Sequence, residues 1–146
     1  MAYATQQDLE DAAGGAARFL ELTDIDDDGA VDAAPVARAQ AAAESWIDSF
    51  LSSRYAPLPL AAPTPELRAI AAEETLFRLR QKKPGGASQN ELEAHKDRVT
   101  QLQAYRSGGL RPDLPGVLRS DAGRARIVTS EDAGAIVSRE SLKGMW

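Results

Sequence analysis

Apolar residues recur every three or four positions through most of the first 109 residues, which is the spacing of one face of an α-helix. Three long stretches show the pattern most clearly and predict the helix faces that form a core. The members of these faces are Val36, Gln40, Ala43, Ile47, Phe50 and Leu51 with Trp46 beside them; Leu67, Ile70, Ala71, Glu74 and Phe77, widened by Leu76 and Leu79; and Leu92, His95, Val99, Leu102 and Tyr105 or Arg106.

Capping residues and helix breakers divide this pattern into separate helices. Thr5 and Asp8 form a capping pair, and two adjacent glycines end the helix that they begin. Asp32 and Thr64 are each followed, within three residues, by a proline that suits a first helical turn. The predicted helices cover about residues 6–13, 16–22, 33–53, 65–83 and, after a cap at Ser88 or Asn90, a last stretch to about residue 106.

The pattern changes at Leu110. The residues from there to the end hold glycine, proline, serine, aspartate and arginine between short apolar pieces, of which 126–129 and 135–138 are candidate strands. Such a stretch is too long for an ordinary loop. We interpret 110–146 as an extended C-terminal arm that orders against other subunits, with plain disorder as the alternative. The predicted fold is all-α, a small bundle of four to five helices over residues 1–109 followed by this arm.

The composition indicates a thin core. Leucine, isoleucine, valine and phenylalanine together number 29, about a fifth of the chain, and most other apolar residues are alanine. A large self-contained enzyme core is therefore not expected. Cysteine is absent, which excludes disulfides, cysteine-ligated metal centres and a thiol nucleophile. The sequence shows no secretory signal and no apolar run long enough for a membrane span, so no membrane partner is expected.

Charged residues are unevenly distributed along the chain. Residues 1–62 carry eleven acidic and three basic side chains, whereas residues 63–146 carry eleven acidic and fourteen basic ones. An acidic end and a mildly basic end suit head-to-tail contact between copies; two differently solvated faces are the alternative. Broad nucleic-acid binding is not expected, because no dense basic stripe interleaved with aromatic residues occurs.

An acidic loop carries a motif with metal-binding spacing. Residues 24–32 match the first nine positions of an EF-hand loop, with Gly29 at the sharp turn. The candidate ligands are Asp24, Asp26, Asp28, the Ala30 carbonyl and Asp32. Pro35 stands at the twelfth position, where a bidentate carboxylate belongs, and no second loop follows. A structural Ca²⁺ is one hypothesis, although no cofactor is required. The other is an acidic turn that caps the next helix through Asp32.

Candidate catalytic groups are few. His95, the only histidine, falls on the apolar face of the last predicted helix, where an interface residue is favoured over a general base. Glu73 and Glu74 form a carboxylate pair, which we interpret as an exposed face with Arg78 and Arg80 as ionic partners. No phosphate-binding loop or nucleophile motif occurs. The sequence therefore predicts no enzymatic activity and no catalytic residues.

Several short stretches, taken in chain order, are similar to the signatures of one family. They are Tyr3 to Leu9, Leu22 to Asp24 with Gly29 to Asp32, Ile47 to Leu51, Arg54 to Leu60, and Val137 to Trp146. The most specific of them is Arg54 to Leu60 together with the helix before it. The sequence resembles the Mu-like phage and prophage head–tail connector family, also called adaptors.

The resemblance implies a structural virion protein of the phage neck. Family members are similar to helical adaptors that form a closed ring beneath the portal protein, at the head–tail interface. It implies a homo-oligomer, expected to be a dodecamer, that also docks other neck or tail-completion proteins. DNA is expected to pass through the lumen without sequence-specific binding. The implied location is the virion, after assembly in the bacterial host cytoplasm.

Candidate partner-binding residues lie in the arm. Arginines there suit acidic neighbours, with phosphate contact as the alternative, and large apolar residues at a chain end favour docking because they gain little in solvent. These residues are Arg111, Arg119, Arg124, Arg126, Arg139, Met145 and Trp146. The alternative function is a small Ca²⁺-binding regulatory protein that uses the loop of residues 24–32.

Overall fold

The computed structural model describes residues 3–25 and 27–110. Within these ranges it contains five α-helices, and the all-α prediction is confirmed. They are α1 (Gln6–Ala13), α2 (Ala16–Thr23), α3 (Ala33–Leu51), α4 (Pro65–Gln81) and α5 (Gln89–Ser107). Each helix begins and ends within two residues of its predicted position. The arm from residue 111 onward, with both candidate strands, lies outside the described residues.

Side-chain caps fix the starts of three helices. Thr5 accepts a hydrogen bond from the Asp8 amide while the Asp8 carboxylate accepts one from the Thr5 amide, so the predicted capping pair is a complete capping box. Ser88 and Glu91 form a second box at α5, which decides the start of that helix in favour of Ser88. Thr64 caps α4 by accepting from the Leu67 amide, with Pro65 in the first turn.

Helix α4 lies at the centre of the bundle and contacts each of the other four helices. Its buried side chains point in most directions because neighbours surround it. They are Leu67, Ile70, Ala71, Ala72, Glu74, Thr75, Leu76, Phe77 and Leu79, and they include every member of the stripe predicted from the sequence. Two adjacent buried alanines lie among them, which allows neighbouring helices to approach closely.

The other long helices bury narrower faces. On α3, Val36, Ala43, Ile47 and Leu51 are buried as predicted, whereas the predicted members Gln40, Trp46 and Phe50 are half-buried. On α5 the apolar face is short. Leu102 and Tyr105 are buried, but Leu92 remains 38% exposed. Helix α5 therefore has little apolar surface with which to hold itself against the bundle.

Tyr3 connects the start of the chain to the segment that follows α3. Its side chain is buried, its amide donates to Glu44 Oε1 at 2.9 Å, and its hydroxyl donates to Asp48. The same hydroxyl accepts from the Leu60 amide at 3.1 Å. Burial and the Asp48 hydrogen bond raise the pKa of Tyr3, so the hydroxyl keeps its proton. Two of the stretches that carry the family resemblance, 3–9 and 54–60, are thus joined through one side chain.

Arg54 caps the C-terminal end of α5. Its guanidinium donates from Nε to the Arg106 carbonyl at 3.0 Å and from Nη2 to the Ser107 carbonyl at 2.9 Å. These carbonyls belong to the last turn of a helix and have no intrahelical donors. Gly108 then turns the chain with a φ of 83°, and a Cβ there would lie 2.5 Å from the Arg54 guanidinium carbon. Glycine suits the positive φ at this position, and its lack of a Cβ leaves room for the guanidinium.

We predict that Gly108→Ala destabilises the fold more than Gly86→Ala. Both glycines have positive φ, 83° and 65°, but a Cβ at Gly86 meets no atom within 4 Å. Gly108→Ala additionally displaces Arg54 from its carbonyls, and we expect it to lower the free energy of unfolding by about 1–2 kcal/mol more. Urea denaturation of both variants measures the difference.

An Arg54→Ala background provides the control for this prediction. There the side chain that the new Cβ would displace is absent, so the two glycine variants should differ less than in the wild type. Equal losses for the two variants in the wild-type background would contradict the close packing of Arg54 on Gly108.

Candidate functional site

The most conspicuous cluster of charged side chains in the described residues surrounds the carboxylate of Glu74. Only 1% of Glu74 is exposed, and it lies on the central helix. Arg78 Nε is 3.0 Å from its Oε1, and His95 Nδ1 is 2.8 Å from its Oε2. Arg98 Nη2 lies 3.6 Å from the same Oε2. An unpaired buried carboxylate is very costly, so these three side chains are what allow Glu74 to stay inside the bundle.

Arg98 extends the cluster toward the surface. Its side chain is 7% exposed, and its Nη1 lies 3.3 Å from Oε2 of Glu73, whose own side chain is 52% exposed. The guanidinium carbon of Arg98 lies 5.6 Å from the centre of the Phe77 ring, a cation–π distance. The cluster therefore contains two carboxylates and two guanidinium groups, with the imidazole as a further donor.

Aromatic rings hold the imidazole of His95 in place. The ring stacks on Phe77 at 4.5 Å between centroids and on Trp46 at 5.4 Å. Trp46 in turn meets Phe50 edge to face at 5.3 Å. The stack links α3, α4 and α5. With its Nδ1 directed at a carboxylate and its faces covered by rings, His95 packs as an interface residue between helices, as its position on the apolar face predicted.

The interpretation of the Glu73–Glu74 pair as an exposed face is correct for Glu73 and wrong for Glu74. Helix α4 is surrounded by neighbours, so Glu74 faces inward with its stripe. Of the two predicted partners, Arg78 does pair with Glu74 one turn along, but Arg80 pairs with Glu91 of α5. Arg98 was not predicted. A buried ion pair between two helices leaves no periodic pattern in the sequence. Its one sign is an acidic residue within an apolar stripe.

In the acidic loop between α2 and α3, three carboxylates accept hydrogen bonds from backbone amides of the same loop. Asp24 accepts from the amides of Asp28 and Gly29 at 3.1 and 3.0 Å, and Asp28 accepts from the Ala30 amide at 2.8 Å. Asp32 occupies the N-cap position of α3 but makes no side-chain cap; its carboxylate accepts from the Ile25 amide at 2.8 Å. Asp32 is thus the N-cap residue of α3, as predicted, although its side chain bonds within the loop and not to the helix.

The metal hypothesis for this loop stays a prediction. Asp26, its third position, lies outside the described residues. Among the residues that the structure does describe, no group of three or more acidic or histidine side chains is arranged to hold a metal ion. The partner-binding candidates Arg111, Arg119, Arg124, Arg126, Arg139, Met145 and Trp146 also lie outside the described residues.

Across residues 3–25 and 27–110, no helix combines the length and the apolar character needed to cross a membrane. The described part of the chain is thus a small all-α protein whose main ionic cluster is closed by internal pairs.

The family model for Bacteriophage Mu, Gp36 matches residues 3–129. That range is most of the chain, so the chain belongs to the phage Mu Gp36 family. The resemblance to a Mu-like phage family is confirmed, and no catalytic family is indicated. None of the curated proteins matches the chain.

We predict that Glu74→Gln destabilises the protein far more than Glu73→Gln. The first substitution removes the buried negative charge that faces Arg78, Arg98 and His95, and we expect a loss of about 3 kcal/mol in the free energy of unfolding. The second removes an exposed partner of Arg98, for a loss below about 1 kcal/mol. Urea denaturation followed by circular dichroism measures both. Similar losses for the neighbouring glutamates would contradict the central role given to Glu74.

Proposed function

We propose that this chain is a head–tail adaptor of a Mu-like phage. In this proposal it assembles into a closed ring beneath the portal protein and presents the surface on which the next neck or tail component docks. DNA passes through the ring during ejection. The observation that carries the proposal is membership in the phage Mu Gp36 family over residues 3–129, together with the adaptor role that the sequence resemblance implies.

The described fold suits such a role. A ring is made by heterologous contacts, in which one patch of each copy meets a different patch of the next. The acidic loop between α2 and α3 projects two apolar side chains, with Ile25 63% and Val31 37% exposed. An acidic loop with exposed apolar residues fits a basic, partly apolar patch on a neighbour. In this proposal the acidic residues 1–62 and the mildly basic residues 63–146 supply the two opposite patches.

The acidic first half also suits passage of DNA. Phosphate binding by proteins rests mainly on arginine and lysine, and its strength falls with salt because counterions are released. Residues 1–62 contain only three such side chains against eleven acidic ones. A lumen lined by that part of the chain would repel the phosphate backbone, which keeps DNA free to slide.

Native mass spectrometry of the chain mixed with the portal protein of its phage tests the proposal. We expect a complex that contains twelve copies of the 15.6 kDa chain on one portal ring. The matched control is the chain ended after Gly109, which we expect to remain helical but to stay off the portal. A full-length chain that remains monomeric in the presence of assembled portal would contradict the proposal.

A further inference from the structure

A shallow groove of about 300 Å³ runs between α1 and α4. Its floor, the apolar part of the lining, consists of Ala12, Pro65, Ala69 and Ala72. The charged residues on its rim are Asp8, Asp11, Arg68 and Glu73. An apolar floor with a charged rim is the general form of a peptide-binding groove.

The rim carries excess negative charge. Hydrogen bonds from the Thr5 amide and hydroxyl, with the nearby Arg68 charge, lower the pKa of Asp8, which is therefore ionised at neutral pH. Arg68 already donates from Nε to the Pro63 carbonyl at 3.4 Å. Glu73 pairs with Arg98, which leaves Asp8 and Asp11 with Arg68 as the one arginine on the rim, and the groove favours an occupant with basic side chains.

The chain supplies such an occupant beyond its described residues. Residues 111–126 contain four arginines and two aspartates, with glycine, alanine, valine and leucine between them. These small and apolar residues match the alanine floor, and the arginines match the acidic rim. Sixteen residues in extended form span about 50 Å, which is enough to leave one copy and lie on another.

We propose that the groove between α1 and α4 binds residues 111–126 of a neighbouring copy. The inference rests on the proposed adaptor function, because in a ring every copy offers one groove and receives one arm. Each arm then connects two bundles, and the ordering of the arm is coupled to closure of the ring.

Disulfide trapping tests this proposal, and the absence of cysteine from the chain makes the background clean. Ala69→Cys places a thiol in the groove, and Ser120→Cys places one in the arm. The two full-length variants, one labelled with ¹⁵N, are mixed with portal protein and oxidised mildly. We expect the mixed disulfide to form at least about tenfold faster than with Ala94→Cys, an exposed control on α5, because docking raises the effective thiol concentration.

Charge reversal provides a second test of the proposal. Asp11→Lys in the groove variant should slow trapping, and Arg124→Asp in the arm variant should restore part of the rate. Glu93→Lys is the matched control, because Glu93 and Asp11 are both exposed and each accepts from a glutamine one turn earlier. Asp11→Lys should change the trapping rate, whereas Glu93→Lys should not.

The outcomes separate this inference from the proposed function. A ring that forms on the portal while groove and arm thiols react at the control rate overturns the inference alone. The double variant carries Ala69→Cys and Ser120→Cys in one chain. If it yields only monomers with an intramolecular disulfide, the inference is also overturned, because the arm then occupies the groove of its own copy. Failure of the wild-type chain to join assembled portal overturns the adaptor function and this inference together.

Discussion

The fold depends on a buried carboxylate that cannot be left unpaired. Glu74 lies on the one helix that contacts all four others in the described bundle. Arg78 on α4 itself pairs with its Oε1, and His95 and Arg98 on α5 approach its Oε2 across the helix interface. The ion pairs therefore set how α5 lies along α4, which the short apolar face of α5 would define only weakly.

A second constraint operates where α5 ends. Arg54, from the segment after α3, donates to the last carbonyls of α5, and Gly108 allows the close approach. Tyr3 holds the same segment from the other side through its hydroxyl and the Leu60 amide. The point from which the chain continues toward residue 111 is thus tied to the first and third helices.

Much of this fold was predictable from sequence, because the signals are local. The Thr5–Asp8 box, the Thr64 cap and the apolar stripe of α4 each follow from residues within a few positions of one another. The ionic centre was not predictable, because Glu74 and Arg98 are separated by a turn between helices and neither residue type signals burial. The acidic loop shows the opposite difficulty. Its spacing matched a metal motif, yet Asp24 and Asp32 bind backbone amides in their own loop.

We propose that this phage protein works by joining copies of itself to one another and to neighbouring virion proteins. Electron cryomicroscopy of the head–tail junction in purified particles of its phage tests that claim most directly. We expect a ring of five-helix bundles beneath the portal, each with an extended segment along the groove between α1 and α4. A junction whose density accommodates no such bundle would contradict it.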